Sequence, residues 1–190
     1  MADFICDQTY TSQDFSKNRL KKAEYENCRF EGCNFSDGFL DNQNFMECTF
    51  LECNLSNANI VNTIFKEVSF EHCKMMGMKF EDCNDFLMDF NFLDCTLNYS
   101  SFYGLELKRL RLVDSRLMGA DFTDCNLTQA EFIRCNLENA IFENTNLSQA
   151  DFSTSLNIIL DPERNDLYHC QFSLENLPGL LGKYKIKVIS

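Results

Sequence analysis

Large apolar residues recur at every fifth position along most of this chain. The first series consists of Phe15, Leu20, Tyr25, Phe30, Phe35, Leu40, Phe45, Phe50, Leu55, Ile60, Phe65, Phe70, Met75 and Phe80. A second series is displaced by two residues and consists of Leu87, Phe92, Leu97, Phe102, Leu107, Leu112, Leu117, Phe122, Leu127, Phe132, Leu137, Phe142, Leu147 and Phe152. No polar residue interrupts either series. A period of five fits neither an α-helix nor the alternation of a flat strand.

The positions before each large residue are also restricted. A small residue such as Cys28, Ala58 or Cys125 lies two positions before it, and Asn or Asp often lies directly before it, as at Asn34 and Asp121. This pattern indicates a chain that turns a corner after each repeat, so that the large and the small residue both point inward. Four repeats then close a square coil of about 20 residues, and the coils stack by parallel pairing about 4.8 Å apart.

The repeat resembles that of a known family. Its clearest copies are residues 120–124 (ADFTD) and 125–129 (CNLTQ). They resemble the repeats of the pentapeptide-repeat proteins, and the resemblance extends over roughly residues 15–156. It implies an all-β fold, a right-handed quadrilateral parallel β-helix in which about 28 repeats form about seven coils.

The pattern divides the chain into three regions. Residues 1–12 are expected to form an N-terminal cap, and residues 13–156 the pentapeptide-repeat β-helix. The two-residue phase shift near residues 81–91 is interpreted as a bulge at one corner, with a functional loop as the alternative. Residues 157–190 contain a loop, a final repeat fragment and a C-terminal cap made of a short helix and a strand.

The C-terminal segment also offers an apolar surface. A solenoid must cover its open ends, because an exposed coil edge pairs with other chains. The resemblance implies that such a segment forms a homodimer. The candidate dimer interface consists of Leu177, Leu180, Leu181, Tyr184, Ile186 and Val188.

The abundant cysteines were tested as candidates for chemistry. Ten of the 11 occupy the small inward position, where Cys behaves as a small hydrophobic residue. A zinc site usually includes a CxxC pair, and the chain has none. His72 and His169 have no partner in a triad arrangement, and no phosphate-binding loop occurs. The sequence therefore predicts a protein that is not an enzyme and that needs no metal or cofactor.

The formal net charge is −12. Direct binding to nucleic acid is therefore disfavoured, because it needs Lys and Arg to displace counterions. Two stretches without basic residues supply a candidate acidic binding surface, which consists of Asp37, Asp41, Glu47, Glu52, Glu81, Asp82, Asp85, Asp89 and Asp94. Such a surface suits a basic partner, including a site that normally holds DNA.

Two functions without catalysis follow. The favoured one is a scaffold or interaction protein whose outer faces bind an unknown cytoplasmic protein. The alternative is a DNA mimic that binds DNA gyrase or topoisomerase IV and modulates it or protects it from quinolones, which the resemblance to the quinolone-resistance group implies. Charge on one continuous face would favour the mimic, and scattered charge the interaction protein. With no signal-peptide pattern and no apolar run of roughly 18 residues, a cytoplasmic protein without membrane contact is expected.

Overall fold

The chain winds into a square coil that repeats every 20 residues. The computed structural model describes residues 3–86, 88–187 and 189. All strand pairings among these residues are parallel, and paired residues such as Phe30 and Phe50 are 20 apart in every coil but one. The predicted quadrilateral β-helix is thereby confirmed, with about eight coils rather than seven.

The strands are short because each spans only one side of the square. They are Asp3–Cys6 (β1), Thr9–Thr11 (β2), Ala23–Glu26 (β3), Arg29–Glu31 (β4), Asn44–Met46 (β5), Thr49–Leu51 (β6), Ile64–Lys66 (β7), Val68–Glu71 (β8), Phe90–Leu93 (β9), Arg111–Val113 (β10), Glu131–Ile133 (β11), Asp151–Phe152 (β12) and Gln171–Phe172 (β13). The helical segments are α1 (Leu177–Leu180) and the 3-10 turns Phe80–Asp82, Leu174–Asn176 and Gly182–Tyr184. Across the described ranges, no helix has the length and apolarity that a membrane crossing requires.

Four faces surround the core, and each coil contributes one repeat to each face. Face 1 is a nine-stranded sheet in the order β2-β4-β6-β8-β9-β10-β11-β12-β13. Face 2 is a column of bridges that runs from Asp14 to Leu156, and face 3 includes the bridges between Phe39 and Ile141. Face 4 is the sheet β1-β3-β5-β7, continued by bridges from Glu106 to Asp166. Corners are named below by the two faces that they join.

Stacked aromatic rings fill the interior. On face 1, ring centroids lie 4.8 to 5.4 Å apart in the column formed by Tyr10, Phe30, Phe50, Phe70 and Phe92. A second column on face 3 is formed by Phe80, Phe102, Phe122 and Phe142. The phenylalanines predicted to point inward are buried, except Phe15, which is partly buried and packs against the core. Such offset stacks of large rings contribute more than their buried area alone.

The small inward residues are selected for hydrogen bonding as well as for size. The Cys53 Sγ donates to the Phe30 carbonyl at 3.3 Å, and the Thr63 hydroxyl donates to the Leu40 carbonyl at 2.7 Å. In both pairs the acceptor lies in the preceding coil. A small residue with a donor therefore satisfies a buried carbonyl without taking the space of a large ring.

The polar residues shape the turns. The Asn54 Oδ1 accepts a hydrogen bond from the Ser56 N–H at 3.1 Å, and the Asp121 Oδ1 accepts one from the Thr123 N–H at 2.9 Å. This explains why Asn or Asp precedes the large residue, since these side chains bond to the backbone two residues on. Two residues after the large residue, nearly every corner has a positive φ, as at Asn57 (54°).

The coil with the phase shift contains 22 residues instead of 20, since Phe70 on face 1 pairs with Phe92. The Asn84 N–H donates to the Thr63 carbonyl, just as the Ile64 N–H donates to the Gln43 carbonyl one coil earlier, so the pairing is regular up to Asn84. The Val68 N–H donates to the Asp89 carbonyl, and from there on the pairing is shifted by two residues. The two additional residues therefore lie on face 4, in the segment 85–88. Here Phe86 points outward and is 66% exposed.

The core next to this segment changes its side chains. Phe90 occupies a position that holds Cys48 or Ala130 in other coils, and it is buried against Phe80 and Phe92. Phe90 and the partly buried Met88 both pack against the core beside the additional segment, which preserves close packing. Leu87, for which an inward position was predicted, lies outside the described residues.

Both ends differ from the prediction. Strands β1 and β2 pair with β3 and β4, so residues 3–11 form a first coil rather than a separate cap. The reason is that Ile5 and Tyr10 continue the five-residue series inward. At the other end, the short helix α1 is present, but no strand occurs in residues 185–187 or at 189. Gly182–Tyr184 form a 3-10 turn, and Lys185 after it has a left-handed backbone (φ 50°), so the alternating segment does not begin as an extended strand.

The inward and outward assignment predicts unequal effects of the same substitution. Phe50→Ala should lower the free energy of unfolding by about 3–5 kcal/mol, because it empties part of a stacked column. Phe39 is 54% exposed with Arg19 over its ring, and Phe39→Ala should cost less than about 1 kcal/mol. Urea unfolding measures both values. Similar losses would contradict the assignment.

Candidate functional site

The described surface rather than the interior carries the candidate site, since packed side chains occupy the inside of the coils. Each repeat presents two outward residues on its face and one at the corner. The predicted acidic residues lie in different columns. Glu47 and Asp89 are at corner 4/1, Glu52 and Asp94 at corner 1/2, Asp37 at corner 2/3, Asp41 and Glu81 on face 3, Asp82 at corner 3/4, and Asp85 in the additional segment of face 4. The structure therefore distributes them around the rod.

Corner 4/1 carries the longest column of carboxylates, which we call the acidic corner: Asp7, Glu47, Glu67 and Asp89, with Asn27 between the first two. The Glu47 N–H donates to the Lys66 carbonyl of the next coil, so Glu47 and Glu67 occupy equivalent positions about 4.8 Å apart along the rod. Asn27 donates to the Asp7 carboxylate at 2.7 Å. Asp7 and Glu67 are not among the acidic residues predicted from the sequence. Their spacing of 20 from Asn27 and Glu47 was the signal that identifies them.

Several other acidic residues are already paired. Arg19 donates to the Asp41 carboxylate at 2.6 Å. Partial burial opposes ionisation of Asp41, but the Arg19 hydrogen bond prevails and lowers the pKa of its carboxyl. Likewise the Arg134 guanidinium lowers the pKa of Asp114, at 2.6 Å. Glu81 is half-buried, with Oε2 enclosed and unbonded among the described residues. These residues are less available to a partner than those of the acidic corner.

The cysteine thiols are free, and most are buried. Burial raises the pKa of Cys48 and Cys125 to about 12 and that of Cys135 to about 11. A thiol of this kind is protonated at neutral pH and is a poor nucleophile. Within residues 3–86, 88–187 and 189, no group of three or more His, Cys, Asp or Glu side chains is arranged to hold a metal ion.

The two histidines do not form a reactive pair with cysteine. His72 lies at corner 1/2, where its Nδ1 is 2.9 Å from the Asp94 carboxylate. The adjacent Cys73 is buried and donates its S–H to the Phe50 carbonyl. The His169 ring stacks edge-on against Tyr168. Among the described residues, both histidines therefore make contacts at the surface, and neither is hydrogen-bonded to a cysteine.

The C-terminal segment presents a group of exposed apolar side chains. Leu177, Leu181, Tyr184 and Ile186 are all exposed, and Leu180 packs partly against the core. Val188 lies outside the described residues. The sequence analysis missed Leu174 and Ile189, which are 85% and 81% exposed. These residues cover one end of the solenoid and leave an apolar surface beyond it.

Comparison with known families agrees with the coil geometry. A family model described as a pentapeptide repeat region matches residues 43–122, and a second, described as pentapeptide repeats (8 copies), matches residues 115–153. Together they cover more than half of the chain, and their limits fall inside the stacked coils. The chain belongs to the pentapeptide-repeat proteins. Its additional segment at 85–88 lies within the first of the two matches.

Solved pentapeptide-repeat structures share the fold at low sequence identity. Two structures of QnrB1, described as a plasmid-mediated fluoroquinolone resistance protein, match with TM-scores of 0.63 and 0.65 at 20% and 22% identity. The matches cover 98% and 99% of this chain and 100% and 92% of those chains. HetL, from the cyanobacterium Nostoc, matches at 17% identity with a TM-score of 0.42, over 89% of this chain and 85% of that chain. No curated protein sequence matches the chain significantly.

The thiol environments predict how the cysteines react in the folded pentapeptide-repeat protein. A thiol-specific chromogenic reagent at pH 8 should modify the exposed Cys6 first and the half-buried Cys170 slowly, while the buried thiols react only after unfolding. Cys6→Ser should remove the fast phase without changing the slow ones. Rapid labelling of Cys73 in the folded protein would contradict the burial of its thiol.

Proposed function

We propose that this protein is a non-enzymatic interaction protein of the cytoplasm, whose outer faces bind another protein. The observation that carries the proposal is that inward and outward positions of each repeat have separate roles. Two positions of five are committed to the core, and the remaining positions differ from coil to coil without disturbing it. A regular solenoid of this kind is an extended binding surface.

The chemistry of the described residues supports a binding role over catalysis. Most of the thiols are buried, burial raises the pKa of Cys48, Cys125 and Cys135, and the carboxylates lie mostly in solvent. Catalytic acids, bases and nucleophiles usually lie in clefts that shift their pKa towards the working pH. The distribution of the acidic residues over different faces and corners also favours an interaction protein over a uniformly charged mimic.

A second candidate function rests on the acidic corner. Its carboxylates form a straight column that spans four coil steps, or about 19 Å at the interstrand spacing. One DNA strand carries a phosphate every 3.4 Å along the helix axis, and Glu47, Glu67 and Asp89 recur at about 4.8 Å along the rod, so the column presents a comparable line of negative charge. It would enter a basic groove of a type II topoisomerase. The shared fold with QnrB1, a fluoroquinolone resistance protein, supports this candidate.

We propose in addition that the protein forms a homodimer through its C-terminal segment. Leu174, Leu177, Leu181 and Tyr184 are exposed together at the end of the rod. A two-fold contact between two such ends would remove their apolar surface from water and cover the last coil of each rod.

Substitutions on single faces test the interaction function. The folded protein, immobilised at one terminus, should retain a partner from a lysate of its own cells. One outward substitution per face is then compared: Arg111→Glu on face 1, Arg116→Glu on face 2, Ile141→Asp on face 3 and Lys108→Glu on face 4. At least one should release the partner while the melting temperature stays unchanged. If no partner is retained, or if it is released only by unfolding, the proposal fails.

A DNA-supercoiling assay with bacterial gyrase, with and without a fluoroquinolone, tests the second candidate. The wild-type protein should inhibit supercoiling or protect it from the drug at low micromolar concentration. The double substitution Glu47→Lys with Glu67→Lys should weaken the effect at least about tenfold, because it reverses the acidic corner. The matched control is Asp37→Lys with Asp124→Lys, at corner positions with the same left-handed backbone. An equal loss in the control, or no effect of the wild type, would reject the mimic.

A further inference from the structure

One part of the surface differs in composition from the rest of this acidic protein. We call it the Tyr99 face, and it consists of Lys74, Met76, Tyr99, Arg116 and Met118. Parallel bridges join Lys74 to Thr96 and Thr96 to Arg116, which places the two basic residues two coils apart in one column of face 2. Met76 and Met118 occupy the neighbouring outward column, and Tyr99 lies at corner 2/3.

Two apolar members of the Tyr99 face, Met76 and Tyr99, are exposed, and the half-buried Met118 lies against Tyr99. Tyr99 is 63% exposed and Met76 is 39% exposed. The Tyr99 hydroxyl lies 3.7 Å from the Met118 Sδ, and a Cβ added at Gly119 would lie 2.8 Å from the Tyr99 ring. The ring therefore lies across the backbone of the next coil. Tyr, Met and Arg are the residue types enriched in protein interfaces, and Tyr and Arg supply many of the strongest contacts.

The charge of this face is opposite to that of the whole chain. Among the described residues, neither Lys74 nor Arg116 takes part in an ion pair. The nearest carboxylates are that of Glu138, one coil beyond Met118, and those of corner 1/2. At that corner the Asp114 carboxylate pairs with Arg134 at 2.6 Å and the Asp94 carboxylate lies 2.9 Å from the His72 ring. At physiological salt the Debye length is about 8 Å, so carboxylates on the far faces are screened from this one.

A groove borders the Tyr99 face at Gly77. It has a volume of about 410 Å³, and its lining includes Asn57, Val61, Gly77, Lys79 and Asp82. Any side chain at position 77 would approach the Asn57 Oδ1, since a Cβ there would lie 2.4 Å from it. A larger residue at position 77 would therefore displace the Asn57 side chain. The groove combines an apolar wall at Val61 with one basic residue, Lys79, and one acidic residue, Asp82, and this suits an apolar side chain of a ligand.

We propose that the Tyr99 face binds an acidic segment of a partner protein that also carries apolar side chains. Its carboxylates would pair with Lys74 and Arg116, and its apolar side chains would contact Met76, Tyr99 and the groove at Gly77. An extended segment fits because outward side chains here recur at the interstrand spacing. Nucleic acid fits less well, because binding to a phosphate backbone needs several Lys and Arg contacts and the Tyr99 face offers two basic residues on a chain of net charge −12. The inference rests on the interaction function proposed above and names its face and its partner chemistry.

Selection from a phage-displayed library of random peptides tests the inference without assuming a partner. The peptides selected on the wild-type protein should combine Asp or Glu with Leu or aromatic residues. A synthetic, fluorescein-labelled peptide of that consensus is then titrated by fluorescence anisotropy. Lys74→Glu with Arg116→Glu should weaken its binding at least about tenfold, because both ion pairs are reversed. Tyr99→Ala should weaken it by a similar factor.

Matched variants separate this face from general electrostatics. Lys108→Glu with Arg111→Glu changes the net charge equally on faces 4 and 1, and Tyr168→Ala removes a tyrosine that is 64% exposed elsewhere. Both controls should change the affinity less than about twofold, with melting temperatures checked for every variant. A consensus without acidic residues, no enriched peptide, equal losses in the controls, or displacement of the peptide by single-stranded poly(U) would each overturn the inference. A lysate partner that is released by substitutions on another face would overturn it too, while leaving the interaction function intact.

Discussion

The stacking of equivalent side chains from coil to coil is the constraint on which the rest of the structure depends. Each coil is only four repeats around, so its interior admits one large and one small residue per repeat. Rings such as Phe30 and Phe50 then lie face to face at 4.8 Å, which is also the spacing of the paired backbones. Backbone pairing and side-chain packing therefore share one repeat distance. Neither can change without the other, and this accounts for the regularity of the chain over nearly its whole length.

The additional segment at 85–88 shows how much deviation this constraint tolerates. Face 1 passes from Phe70 to Phe92 in register, whereas face 4 absorbs two more residues and turns Phe86 outward. Next to this segment, Phe90 occupies a position that is small in most coils and packs against Phe80 and Phe92. Outward positions are free of this constraint. An acidic column at corner 4/1 and a basic, apolar group around Tyr99 can therefore exist on one protein.

The sequence predicted the interior well because the five-residue period acts directly on residue size. Phe50, Cys53 and their equivalents were assigned correctly from spacing alone. The backbone at the corners was harder to predict, since Glu47, Tyr99 and Arg109 adopt positive φ values that their side chains do not favour. There the coil closure overrides local preference. The ends were partly mispredicted because the phase of Ile5 and Tyr10 was not extended backwards, and because alternation in residues 184–189 does not ensure a paired strand. The Tyr99 face could not be predicted from a period of 20, because its residues lie on both sides of the 22-residue coil.

Native-state hydrogen exchange across the long coil tests most directly whether one continuous core holds the rod together. If it does, the backbone amides that pair coil to coil before Asp85 and after Asp89 open with a common free energy, close to that of global unfolding. Faster exchange is then confined to the segment 85–88 and to the end coils. If the coils before and after this segment instead exchange as two units with different free energies, the interior is interrupted at the phase shift. The chain would then be two short solenoids joined in series, and its faces would not be continuous binding surfaces.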